Sequence, residues 1–257
     1  MKLERIVTGT DAGVPILLVH GLFGQGRNLG AIARRLAETR RVIAVDQRNH
    51  GNSPHSADHS YQDMAGDLAE IIAEYGGRVD LAGHSMGGKA AMLLALTRPE
   101  LLRKLVVMDI APVAYAHSQN HLIDALEATD LTGLTRRSDA DRRLAEMVHA
   151  PGLRAFLLQS LDLKSDPPRW RLNLPVLRDW MERTTGWPDG LPRATFGGPV
   201  LFMAGADSDY VDQAGEAAMR SYFPQARLVR LKNAGHWMHA DAPEAVASTL
   251  AAFLGNG

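Results

Sequence analysis

The chain has 257 residues, 46% of them hydrophobic and 22% charged, enough to build a full core in one large domain or two small ones. That composition excludes disordered and collagen-like chains, and the absence of cysteine removes disulfides, cysteine-based zinc sites and a thiolate nucleophile together. With 28 Lys and Arg against 29 Asp and Glu the net charge is −1, so no broad positive field invites a phosphate backbone or an anionic lipid surface, and neither nucleic acid nor membrane is an expected partner.

Residues 1–7 interrupt their apolar side chains with charge and lack the continuous apolar stretch of a secretion signal. The run Ile-Leu-Leu-Val at 16–19 is far short of the ~20 residues of a membrane helix. A soluble, cytoplasmic protein is the expectation. From there, short runs of branched apolar residues at 16–19, 41–45, 79–82 and 105–108 alternate with segments at 28–38, 61–75 and 87–98 whose apolar residues recur every three or four positions; Pro99 stops the last of them. This rhythm predicts a parallel sheet with crossover helices. It resumes with strands at 199–203 and 226–231 and ends in a helix marked by Val246, Leu250, Phe253 and Leu254. Between the two instalments strand signals vanish and helical spacing takes over, as in Leu122, Ala125 and Leu126, or Leu153, Phe156 and Leu157. The division read from this is a core of residues 1–112 and 197–257 with a helical cap, or lid, at 113–196. Trp170, Trp180 and Trp187, in the last third of that insertion among Pro167, Pro168, Pro175 and Pro188, read as an apolar pocket lining together with Trp237.

The chemistry-bearing stretch is Leu81-Ala82-Gly83-His84-Ser85-Met86-Gly87-Gly88, a strand that runs through G-x-S-x-G directly into a helix. On so sharp a turn a serine is exposed with strained backbone angles, and glycines two residues either side avoid collision with neighbouring elements. Ser85 is the nucleophile candidate, and the backbone N–H of Met86, at the helix N-terminus, faces the oxyanion that its attack on a carbonyl creates. The second donor is expected in His20-Gly21-Leu22-Phe23-Gly24, after the first strand: Leu22 by position, Phe23 next. The general base is expected after the last strand, where Asn233-Ala234-Gly235-His236-Trp237 supplies His236, with His239 a near neighbour. For the acid that orients it, Asp109, Asp207 and Asp209 all satisfy the chain order Ser, acid, His, and spacing does not choose.

Other readings compete. Residues 83–89 also fit the phosphate cradle G-x-x-x-x-G-K, but Ala90 stands where that motif needs a magnesium-binding hydroxyl. Residues 24–30 imitate a dinucleotide-binding turn with Asp46 downstream, its last glycine one residue late. His55/His59 and His117/His121 have i, i+4 spacing without the character of a zinc motif, so no metal and no cofactor is expected. A non-catalytic binding protein on the same fold is the remaining class.

Taken together, HGLFG at 20–24, DQRNHGNS at 46–53, GHSMGGK at 83–89, MDIAPV at 108–113, WRLNLPVL at 170–177 and AGHWMHA at 234–240 resemble the YbfF-type esterases of the α/β-hydrolase superfamily over nearly the whole chain. The resemblance implies an α/β fold, the α/β-hydrolase fold: a mostly parallel central sheet flanked by helices, with a helical lid inserted between strands. In much of the superfamily the acid lies three residues after the glycine that ends the later strand; here that residue is Ser208. The resemblance therefore implies Asp109 of the DIAP motif as the acid, with Asp207 the alternative. Cleavage of carboxylic esters of short to medium acyl chain through an acyl-enzyme is the expectation, a small-molecule acyl thioester such as acyl-CoA being the alternative substrate for the same triad. An epoxide hydrolase or dehalogenase would carry aspartate where Ser85 stands.

Overall fold

The computed structural model describes residues 1–189 and 194–255. Its centre is a seven-stranded sheet in the order β1-β3-β2-β4-β5-β8-β9. The strands are β1 (Arg5–Thr8), β2 (Ile16–Val19), β3 (Val42–Val45), β4 (Val79–His84), β5 (Leu102–Met108), β8 (Val200–Gly205) and β9 (Ala226–Leu231), with β6 (Leu161–Asp162) and β7 (Arg169–Trp170) forming a separate pair. Among the described residues, β1 is the one strand of this seven-stranded sheet that runs antiparallel to its neighbour. It is also the strand that the pattern misses: Ile6 and Val7, on adjacent positions, are 48% and 44% exposed, so no buried face stamps a period on this edge.

The interior strands read as unbroken apolar runs because both faces are covered. Leu17, Val19, Ile43, Val45, Leu81 and Val107 pack in one cluster with α2 (Tyr61–Glu74) and α3 (Met86–Thr97). Ile16, Leu18, Val42, Ala44, Ala82 and Val106 pack in the other with α1 (Gly30–Leu36) and the C-terminal α11 (Pro243–Leu254). Phe223, just past α9 (Gln213–Tyr222), joins the first cluster, and Met238 of α10 (Met238–Asp241) the second. Since β2, β4, β5, β8 and β9 all point the same way, their carboxyl ends and the loops that follow converge on one edge of the sheet, the place where such sheets hold ligands.

Between β5 and β8 the chain leaves the sheet and builds α4 (Asn120–Ala128), α5 (Arg137–Leu144), α6 (Pro151–Leu157), α7 (Leu174–Asp179) and α8 (Met181–Thr185). These have a core of their own, in which Leu122, Leu126, Leu144, Leu157 and Leu177 are joined by Phe23 from the loop after β2. The expectation of a purely helical insertion needs correcting: β6 and β7 pair Leu161 with Trp170, and two-residue strands are too short to carry a period. The expected 113–196 segment also spans 190–193, which lie outside the described residues. Among the described residues, no helix is long and apolar enough to cross a membrane.

Candidate active site

The turn between β4 and α3 holds Ser85 at φ 51°, ψ −120°, a left-handed conformation that only the surrounding packing sustains. A Cβ on Gly83 would lie 2.3 Å from the Gly87 carbonyl oxygen, and one on Gly87 would lie 2.4 Å from that of His20. The two glycines are what allow the serine to stand out at the head of the sheet.

His236, in the loop after β9, faces it with Nε2 3.0 Å from Ser85 Oγ. On its other side Nδ1 lies 2.8 Å from Asp109 Oδ2. A carboxylate only accepts, so Nδ1 carries the proton and Nε2 is free to accept from the serine hydroxyl. Asp109 ends β5, is fully buried, and is itself held in a left-handed conformation at φ 50°. Its Oδ1 accepts the Gly205 N–H at 2.8 Å, and its Oδ2 also accepts the Ser208 hydroxyl at 2.5 Å. Ser208, three residues after Gly205, thus touches the very oxygen that meets the imidazole. Asp207 and Asp209 are exposed, and neither is the partner of His236.

The imidazole is fixed further by Tyr210, whose ring stacks on it at 3.8 Å and 16°, and by His84, whose Nε2–H donates to the His236 carbonyl at 2.7 Å. Sequence reasoning gives neither a role, though His84 sits inside the G-x-S-x-G stretch and Tyr210 follows the candidate Asp209. Burial holds His84 well below the ordinary histidine range, so it is neutral and can serve as a one-proton donor.

The loop after β2 is braced by the DQRNHGNS segment. Gln47 N–H donates to His20 Nε2 at 2.9 Å while the Gln47 side chain donates to the His20 carbonyl at 2.7 Å. His50 Nε2 accepts the Phe23 N–H at 3.2 Å. That bond corrects one expectation: the Phe23 N–H is spent within the fold and does not face Ser85. The N–H groups of Leu22 and Met86 have no acceptor among the described residues, and both residues line the cavity at Ser85. Asp46 accepts from Gly26 and Asn52 N–H, tying loops together rather than awaiting a ribose. His55 and His59 lie in a loop, and His117 precedes the helix that contains His121, so neither pair spans a helical turn.

The cavity is walled by Leu22, Ile110, Leu122, Phe156 and Trp237, with Ser85 and His236 at its wall and Lys89 beside them. The aromatic lining therefore differs from the expected one. Of the four tryptophans only Trp237 reaches it. Trp170 is 9% exposed inside the insertion's own core, with its indole N–H on the Leu126 carbonyl. Trp180 and Trp187 line a neighbouring hollow, the former under Arg183 and the latter against Tyr222. Large apolar side chains near a pocket are as readily consumed in packing beside it.

The α/β hydrolase fold family matches residues 14–243. The sn-1-specific diacylglycerol lipase ABHD11 of Mus musculus is 39% identical over 254 residues, covering 95% of this chain and 82% of that protein. Esterase YbfF of Escherichia coli (strain K12) is 38% identical over 243 residues, covering 93% and 92%. A solved structure of a marine microorganism esterase superposes with a TM-score of 0.92 at 35% identity, covering 98% of this chain and 99% of the other. The chain belongs to the α/β-hydrolase family and, within it, to the YbfF-type esterases, which makes it a carboxylesterase-type hydrolase.

Proposed function

We propose that the protein hydrolyses small-molecule carboxylic esters of short to medium acyl chain through an acyl-enzyme on Ser85. The observation that carries this reading is the unbroken line from Ser85 Oγ through His236 to Asp109, at 3.0 and 2.8 Å. Ser85 Oγ attacks the ester carbonyl carbon as His236 Nε2 takes its proton. The negative charge that develops on the carbonyl oxygen is met by the N–H groups of Leu22 and Met86, an arrangement in which one donor is typically worth about 10²–10³ in turnover. The imidazolium, held in place by Asp109, protonates the departing alcohol. Water then attacks the acyl-serine by the same route in reverse, with His236 again the base.

On this reading residues 1–112 and 197–257 are the catalytic core and 113–196 a cap. What supports the cap is its separate apolar cluster and the placing of Leu122, Phe156, Thr184 and Thr185 in the cavity wall. The apolar wall of Leu22, Ile110, Leu122, Phe156 and Trp237 favours an apolar acyl group of modest length.

The test is release of 4-nitrophenolate from esters of increasing acyl length, with the matched acyl thioesters alongside. Turnover is expected to peak at short to medium esters and to vanish in Ser85→Ala. A rate that climbs steadily to long chains overturns the chain-length assignment, faster cleavage of every thioester overturns the ester assignment, and wild-type turnover in Ser85→Ala overturns the mechanism.

A further inference from the structure

Lys89 is a buried charge beside Ser85 that this mechanism leaves unused. It stands in the first turn of α3, its backbone N–H donating to the Ser85 carbonyl at 3.0 Å. Both side chains line the same cavity. Lys89 is 1% exposed, yet among the described residues no carboxylate pairs with it. Its ammonium donates to the Thr185 carbonyl at 2.8 Å and to the Gly186 carbonyl, and lies 4.7 Å from the Tyr115 ring centre and 5.9 Å from that of Tyr61. All of these partners are neutral. A buried ammonium without a counter-ion is costly, and it either sheds its proton or acquires an anion. Burial accordingly holds its pKa down at about 7.

We propose that the acyl part of the substrate ends in a carboxylate that pairs with Lys89, so that the enzyme prefers half-esters of dicarboxylic acids to neutral esters of the same length. The inference rests on the Ser85 reading above. The apolar wall of Ile110, Leu122 and Phe156 takes the methylenes between the two ends, and the ammonium supplies the one position where a charge is repaid rather than penalised. A purely architectural Lys89, clamping the end of α8 to α3 through the two carbonyls, would affect charged and neutral esters alike, so the ratio of the two separates the roles.

The experiment compares kcat/KM, read as 4-nitrophenolate release, for mono-4-nitrophenyl adipate and for its methyl-capped diester, which differ in the charge and one methyl group. Near pH 6.5 the wild type is expected to favour the half-ester at least about tenfold. The preference should shrink towards pH 8.5 as Lys89 loses its proton. The other titratable groups facing it are Tyr61 on α2 and Tyr115 and His117 after β5; burial raises both tyrosines, which stay neutral across that interval, and lowers His117. Lys89→Met is expected to abolish the preference. Should that variant fail to fold, the pH dependence of the wild-type ratio still decides. A wild type that cleaves the two equally or prefers the diester, or a preference that Lys89→Met leaves intact, overturns the proposal. Cleavage of neither, with no covalent label on Ser85, overturns the Ser85 reading on which it rests.

Discussion

Replacing Asp109 with asparagine changes one atom in a site where every hydrogen is accounted for. The carboxylate accepts from three donors: Gly205 N–H on Oδ1, and the Ser208 hydroxyl and His236 Nδ1–H on Oδ2. The amide keeps its oxygen on Gly205 and turns its NH₂ towards the other two. Ser208 can rotate its hydroxyl to accept. The imidazole must surrender the Nδ1 proton, which leaves the hydrogen on Nε2, facing Ser85 Oγ as a donor where an acceptor is needed. A wrong tautomer of this kind costs about 10⁴ in kcat, on the order of 5 kcal/mol of barrier. Because Gly205 and Ser208 stay paired, the melting temperature should move little, which separates lost chemistry from lost fold. Steady-state hydrolysis of a 4-nitrophenyl ester, read beside thermal melts of Asp109→Asn and Asp207→Asn, makes the test. Asp207 is exposed and its replacement should change kcat less than about twofold. A collapse of activity in Asp207→Asn, or more than a tenth of wild-type kcat in Asp109→Asn, would refute the reasoning.

Three further outcomes are expected. Ser208 Oγ sits on the same carboxylate oxygen as the imidazole, so in Asp109→Ala/Ser208→Asp the new carboxylate should recover at least about tenfold of the activity that Asp109→Ala loses; no recovery in kcat would show that the acid cannot be moved across this contact. Gly205→Ala would place a Cβ 2.3 Å from the Ala234 carbonyl oxygen and 2.6 Å from that of Gly235, displacing the loop that carries His236, and should lower kcat and the melting temperature together. Burial pushes His20 and His239 down to about 4 and His50 to about 3, from 6.5 when exposed. Above pH 6.5 folded and unfolded chains are both neutral there; below it only the unfolded chain takes up protons, so stability should fall by on the order of 1 kcal/mol per imidazole per pH unit down to about pH 4. Urea midpoints that do not drop between about pH 7.5 and 5.5 would contradict those burials.

What the sequence reveals about this site follows from how local each signal is. The Ser85 turn is legible because strand, glycine spacing and helix are contiguous, and the Cβ clearances at Gly83 and Gly87 are the physical content of that pattern. His236 is legible by its place after the last strand. The partner of its Nδ1 is not, since Asp109, Asp207 and Asp209 occupy equivalent places in chain order and differ in burial, which spacing does not encode. The tryptophans mislead for a related reason: composition reports that apolar mass lies in the insertion, not whether it faces the cavity, and Trp170 is consumed by the insertion's own core. Lys89 catches the eye in the sequence only as the lysine of a phosphate cradle, while the fold turns it inwards beside Ser85, onto the carbonyls that end α8.

The central claim, an activated Ser85, is met most directly by the intact mass of the protein after exposure to a fluorophosphonate. A single adduct on the wild type, absent from Ser85→Ala and strongly slowed in Asp109→Asn, is the predicted result. An unlabelled, folded wild type, or a label that persists in Ser85→Ala, would contradict it.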